Sequence, residues 1–143
     1  MNMNESTQAV QTSAAVFDPY SIEDVLTGTL RVRDADGALT SWTITLAGPE
    51  HPDRKRRLFS RQRRLRAALA KTGKIPTSDP EDDDADQLDD LVACTLGWEG
   101  AALPYSPQAA RTLYADTKRR WLREQVAIAL EERALFMHSS AAT

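Results

Sequence analysis

Cysteine and histidine are scarce in this sequence, and their scarcity argues against several classes of site. The 143 residues include one cysteine, Cys94, and two histidines, His51 and His138. One cysteine forms neither an intramolecular disulfide nor a cysteine-based zinc site. Neither histidine stands in a context typical of a catalytic triad, and the six glycines are too scattered for a phosphate-binding loop. We therefore expect no catalytic residue, no metal site and no cofactor, and a protein that is not an enzyme.

Long apolar runs are missing as well, so no membrane contact is expected. No stretch approaches the roughly 20 apolar residues that a membrane-spanning helix needs. Residues 1–15 are polar without a basic start, so we expect no secretory signal there. Apolar residues make up 41% of the chain and charged residues 27%, as is usual in soluble proteins. The length suits one domain with its own core.

Alternating residues predict a β-hairpin in the first third of the chain. Residues 27–33 and 38–47 alternate between apolar and polar side chains, and residues 34–37 between them have turn chemistry. One face of this hairpin is apolar and needs a covering element. Before it, residues 21–24 read as the capping box of a short helix that Gly28 ends.

Helical spacing predominates after the hairpin. Helix starts are indicated by Pro52, by Ser106 with Pro107, and by Asp116 or Thr117. The predicted helices cover about 52–71, 88–96, 107 onward, and 117 to about 138, with Gly73 ending the first and Gly97 the second.

These elements predict an α+β fold, with an N-terminal β-hairpin packed against a helical C-terminal unit of about three to four helices. We divide the chain into a flexible N-terminal tail (1–16), the hairpin and basic helix (17–71), an acidic linker (72–85) and the helical unit (86–138).

Charge is arranged in two blocks of opposite sign. Residues 54–74 contain ten basic side chains and no acid, whereas residues 79–90 contain eight acids and no base. The prolines and consecutive acids within 74–84 predict an exposed loop. The blocks could pair within one fold, or each could contact a partner. Nucleic acid is the weaker alternative for the basic helix, because Phe59 alone among aromatic residues lies between the arginines.

Large and cationic side chains are the candidate partner-binding residues. On the basic helix they are Arg54, Arg56, Arg57, Arg61, Arg63 and Arg64, and elsewhere they are Trp42, Trp98, Arg119 and Arg120. Arg119 and Arg120 stand where the last helix begins, and positive charge there opposes the helix dipole. We therefore expect an acid beside them, from residues 79–90 or from a neighbouring subunit.

A longer pattern in the C-terminal half resembles small proteins of tailed bacteriophages and prophages. It runs Leu-Val-Ala-Cys-Thr-Leu-Gly-Trp-Glu-Gly at 91–100 and Leu-Pro-Tyr-Ser-Pro at 103–107, followed by Leu113, Trp121 and Phe136. Upstream, Ile-Thr-Leu-Ala-Gly-Pro-Glu-His-Pro at 44–52 is similar to the strand and turn before the basic helix of such proteins. The long basic helix and the acidic segment depart from the commonest pattern.

The resemblance implies a tail assembly chaperone, a late protein that holds tail subunits through protein–protein contacts in the host cytoplasm. Its partners would be phage structural proteins and copies of itself, and the holding surface would be the apolar hairpin face or a helix groove. The alternative is a permanent virion component that cements capsid or tail, and a weaker one is a nucleic-acid-binding accessory protein.

Overall fold

The computed structural model describes residues 16–139, and within them the fold is α+β as expected. The strands are β1 (Ile22–Asp24), β2 (Thr27–Arg33), β3 (Leu39–Ala47), β4 (Thr95–Glu99) and β5 (Met137–Ser139). The helices are α1 (Pro52–Thr72), α2 (Pro80–Cys94), α3 (Pro107–Ala115) and α4 (Arg120–Glu131). Short 3-10 turns occupy Pro19–Ser21, Thr117–Arg119 and Arg133–Phe136. Except for its last residue, the predicted tail 1–16 lies outside the described residues.

The predicted hairpin is present and forms two strands of a three-stranded antiparallel sheet in the order β2-β3-β4. Thr27 lies opposite Ala47, and Leu30 lies opposite Ile44. Gly37 in the connecting turn has a φ of 81°, a backbone conformation that glycine adopts without steric cost.

The third strand, β4, replaces what we expected to be the end of a helix. Helical spacing predicted a helix as far as Leu96, with Gly97 as a left-handed cap, and both predictions are wrong. The helix ends at Cys94, and the following residues pair with β3. Hydrogen bonding to β3 and the burial of Thr95 and Trp98 outweigh the local helical preference.

The acidic segment is also more helical than expected. We predicted an exposed loop over 74–84 inside a linker at 72–85, but α2 begins at Pro80. The Asp79 carboxylate accepts a hydrogen bond from the backbone N–H of Glu81 at 3.2 Å, and proline suits the first helical turn. Acids in that turn complement the helix dipole, so this effect and the cap outweigh the repulsion between neighbouring carboxylates.

Both ends of the described chain differ from prediction because they pair with each other. Residues 21–24, predicted as a capping box, contain β1, which runs antiparallel to β5. The last helix ends at Glu131 rather than near His138, which lies in β5. Gly28 does not end a helix but lies within β2, where an added Cβ would stand 2.7 Å from the carbonyl oxygen of Leu135.

The hydrophobic core lies between the larger sheet and helices α2 to α4. Its fully buried side chains include Val32 and Ile44 from the hairpin, Tyr114 from α3 and Leu122 from α4. The apolar face of the hairpin is therefore covered by helices of the same chain.

An edge of the sheet is closed by a side chain. Strand β2 bonds to β3 along one edge, and on its other edge the backbone N–H and carbonyl of Arg33 face α4. The Gln125 amide donates to the Arg33 carbonyl at 2.8 Å and accepts from the Arg33 N–H at 2.9 Å. Both backbone groups at this position are thus paired.

The backbone of β3 lies very close to Gly100, in the turn after β4. The φ of Gly100 is 80°, and a Cβ would lie 2.0 Å from the carbonyl oxygen of Ser41. We expect Gly100→Ala to lower the free energy of unfolding by more than about 3 kcal/mol, as a strained and clashing residue does. Gly73→Ala, with a φ of 71° and open space, should cost only about 1–2 kcal/mol. Equal losses in urea unfolding would contradict this.

Because the phenol of Tyr114 is buried, we expect the protein to lose stability at high pH. Burial raises the pKa of this phenol to about 12, against an ordinary value of 10, and its hydroxyl lies 2.9 Å from Thr95 Oγ1. The fold therefore favours the protonated form. Its contribution, about 3 kcal/mol at most, is complete below pH 10 and is lost as pH rises toward 12. We expect Tyr114→Phe to lose less stability than the parent over this interval, measured by urea unfolding at each pH. Parallel losses would contradict the assignment.

Candidate interaction surface

The first turn of α1 is held by one arginine that bonds to two backbone carbonyls. Arg54 donates to Ala47 at 3.0 Å and to Leu130 at 2.9 Å, and its guanidinium lies 5.8 Å from the centre of the Phe136 ring. Arg54, a candidate partner-binding residue, thus joins α1 to the end of β3 and the end of α4.

The next turns of α1 are joined to α2 by a shared carboxylate. Arg57 donates to Asp90 Oδ1 from two nitrogens at 3.0 and 2.8 Å, and Arg61 pairs with Asp90 Oδ2. Arg56 pairs within α1 with Asp53 at 3.0 Å. The basic and acidic blocks are therefore joined within the chain through Asp90, which is part of one of the two arrangements that the sequence left open.

One face of α1 carries exposed leucines. Leu58, Leu65 and Leu69, which we call the leucine seam, are spaced by seven and four residues and therefore share a face. Their exposed fractions are 45%, 48% and 42%, and no residue of α1 is buried. A helix with this apolar content normally buries such a stripe.

The second half of α1 also carries three arginines, Arg63, Arg64 and Arg66, which we call the distal arginines. All three are exposed, and none forms an ion pair with any residue between 16 and 139. Arg63 and Arg64 were candidate partner-binding residues, and they stay available to a partner.

A groove lies where α1, α2 and α4 meet, with a volume of about 420 Å³. We call it the three-helix groove. Its apolar lining includes Leu58, Leu91, Ala127 and Leu130, and its charged lining consists of Arg54, Arg57, Arg61, Asp90 and Glu131. The leucine seam begins at this groove with Leu58 and continues outward along α1.

Cys94 also lines the three-helix groove, but its environment does not favour reactivity. Burial raises the pKa of its thiol, so the protonated form predominates at neutral pH. Across residues 16–139 the structure contains no group of three or more histidine, cysteine or acidic side chains placed to hold a metal ion. The groove therefore offers shape, apolar surface and guanidinium donors.

Two arginines near the start of α4, Arg120 and Arg123, contact the acidic segment, which supplies the acid expected beside Arg120. Arg123 is 4% exposed and donates to Asp84 Oδ1 at 3.0 Å, to the Asp84 carbonyl at 2.9 Å and to Gln87 Oε1 at 2.9 Å. Arg120 lies 3.6 Å from the same carboxylate. Asp84 is thus an acid of the kind expected beside the start of this helix.

The tryptophans form a packed cluster. Trp98 is buried, donates its indole N–H to the Leu103 carbonyl at 2.8 Å, and packs edge-on against Trp42 and Tyr105. Trp42 is half-buried, and its indole nitrogen has no hydrogen-bond partner in the part of the chain that the structure describes. Trp121, which was not a candidate, is 44% exposed.

The ten candidate residues therefore do not form one site. The three-helix groove brings together Arg54, Arg57 and Arg61, whereas Arg119 pairs with Asp116 at 2.7 Å and Trp98 lies in the core. Helical spacing in the sequence predicts a narrow apolar stripe on α1, formed by Leu58, Phe59, Leu65, Ala68 and Leu69, which includes the leucine seam. The exposure of the seam is not predicted, because helical spacing alone does not show what covers a stripe.

Comparison with known proteins gives no relative from which a role could be transferred, because no protein-family model, curated protein or solved structure matches the chain. In residues 16–139 no helix combines the length and apolar character needed to cross a bilayer.

Arg123 and Arg120 form a matched pair for testing burial. Both contact Asp84, but Arg120 is largely exposed. We expect Arg123→Met to lower the free energy of unfolding by about 2–4 kcal/mol, because several charge-assisted hydrogen bonds are lost. Arg120→Met should cost under about 1 kcal/mol, as exposed ion pairs do. Urea unfolding measures both, and equal effects would show that burial does not set the contribution.

Proposed function

We propose that the protein is a non-enzymatic bacteriophage assembly protein, of the tail assembly chaperone type, that acts by protein–protein contacts in the host cytoplasm. The observation that carries the proposal is the three-helix groove, whose apolar floor and guanidinium rim open beside the exposed leucine seam. The resemblance of residues 91–107 and 44–52 to small phage proteins supplies the biological setting.

The groove suits a protein segment that combines an apolar side chain with a carboxylate. The apolar side chain would displace water from the leucine and alanine lining, which is favourable in proportion to the area covered. Arg57 and Arg61 already share Asp90, but each guanidinium has five N–H donors. Donors therefore remain for a carboxylate of the partner, and their fork geometry favours a defined orientation.

The groove also fits the proposal better than the hairpin does. The apolar hairpin face was the other surface considered for holding tail subunits, but Val32, Ile44 and Leu46 on it are buried beneath helices of the same chain. A partner could reach that face only by displacing the core, whereas the groove needs no such rearrangement.

Two alternatives remain distinct in what they predict. A permanent virion component would use the same exposed surfaces for lasting contacts, and it would be found in purified particles at a fixed copy number. A nucleic-acid-binding accessory protein would use the distal arginines, and its affinity would fall steeply with salt.

The proposal is tested by deleting the gene and supplying variants to the phage. Without the protein we expect particles that lack normal tails, and with it we expect mature particles that contain none of it by quantitative mass spectrometry. A fixed copy number in purified particles would instead support the virion component.

The groove itself is tested by filling it. Ala127→Trp places a large ring in the groove, and we expect at least a tenfold loss of infectious particles with little change in melting temperature. Ala115→Trp, on an exposed position of α3, is the matched control and should restore normal yields. Full restoration by a folded Ala127→Trp variant would overturn the role of the groove.

A further inference from the structure

Helices α1 and α2 leave charges of both signs without partners. The distal arginines on α1 have no acid within ion-pair distance among residues 16–139. On α2 the same holds for the acids Glu81, Asp82, Asp83 and Asp86, all of which are exposed. Within the described residues, consecutive helices therefore carry one unpaired basic surface and one unpaired acidic surface.

Helix geometry directs two of the distal arginines away from the α2 of their own chain. Arg57 and Arg61 mark the face of α1 that is turned toward α2, because both contact Asp90. At 3.6 residues per turn, Arg63 and Arg66 lie roughly 140–160° from that face. Arg63 and Arg66 are therefore directed away from the α2 of their own chain, whereas Arg64 lies roughly 40° from the side that faces α2.

The acids on α2 are displaced in the same way. Asp84 and Leu91 mark the inner face of α2, through the ion pair with Arg123 and through burial. Asp82 and Asp86 are four residues apart and lie on roughly the opposite side of the helix. Asp82 also lies roughly 80° from Asp90 and is presented outward, whereas Asp86, four residues before Asp90, lies on the side of α2 that faces α1 but has no ion-pair partner among residues 16–139.

Apolar surface accompanies the charges. The leucine seam runs along α1, roughly 80° around the helix from Arg66 and roughly 140° from Arg63. Ile75, just after this helix, is 73% exposed. The seam's spacing of seven and four residues is that of a helix that packs against another helix. A partner that both covers the leucines and pairs with the arginines contacts α1 over a wide arc and offers apolar and acidic surface.

We propose that the partner is a second copy of this chain. In the pair, the basic second half of α1 in one copy would lie against the acidic first half of α2 in the other, and the leucine seams would be covered. A two-fold axis satisfies both contacts at once, because each copy supplies one basic and one acidic surface. Charge complementarity between the two surfaces carries the assignment, which does not depend on the proposed function.

Complementary charge reversal tests the proposal on the purified full chain. The parent should sediment as a dimer at low salt and dissociate as salt is raised. Arg63→Glu/Arg66→Glu makes both surfaces acidic, and Asp82→Lys/Asp86→Lys makes both basic. Each variant alone should associate more than about tenfold more weakly. An equimolar mixture of the two should recover the dimer, because each acidic surface then meets a basic one.

Two controls show whether a loss of association is specific to this interface. Lys118→Glu changes an exposed charge outside α1 and α2 and should leave association unchanged, and circular dichroism should show every variant folded. A parent that is monomeric at all concentrations, or a mixture that stays monomeric, overturns the proposal. The proposal is also overturned if the Arg63→Glu/Arg66→Glu variant remains a dimer but no longer binds an acidic helical peptide or nucleic acid. None of these measurements involves a phage component, so they stand apart from the test of assembly function.

Discussion

Three guanidinium groups hold α1, the longest helix of the described chain, against the rest of the fold. None of the side chains of α1 is buried. Arg54 reaches two carbonyls, one at the end of β3 and one at the end of α4, and Arg57 and Arg61 share the Asp90 carboxylate. These contacts all fall in the first half of α1. The second half is therefore free of the core and keeps its leucines and arginines on the surface. The groove and the proposed self-association surface both follow from this partition.

Local signals in the sequence predict the hairpin and most helix starts, because those signals act over a few residues. Gly37 in its turn, Ser106 as a helix cap and Gly73 as a helix end all stand where expected. The errors at β4 and at the two ends of the described chain fall where pairing is remote in sequence, whereas the early start of α2 depends on the local cap at Asp79. β4 joins β3 across about fifty residues, and β1 joins β5 across the whole described chain. No local spacing encodes such pairing.

The candidate interaction surface, like the fold, could be predicted from the sequence only in part. The opposite charge blocks predict that pairing within the chain is possible, and an acid near the start of the last helix follows from the helix dipole. Which acids pair is decided by packing: Asp84 and Asp90 lie on faces of α2 that meet α4 and α1, whereas Asp82 does not. A carboxylate's position in sequence does not reveal that difference.

The Gln125 amide has a consequence for how copies of this protein can join. An uncovered edge strand is a template on which a strand of another molecule can add, and unchecked addition leads to fibrous aggregates. Here the amide side chain imitates the neighbouring strand at the end of β2, bonding Arg33 through both backbone groups. A strand from another molecule would have to compete with the Gln125 amide for the Arg33 backbone. Growth of the sheet from that end of β2 is thereby disfavoured.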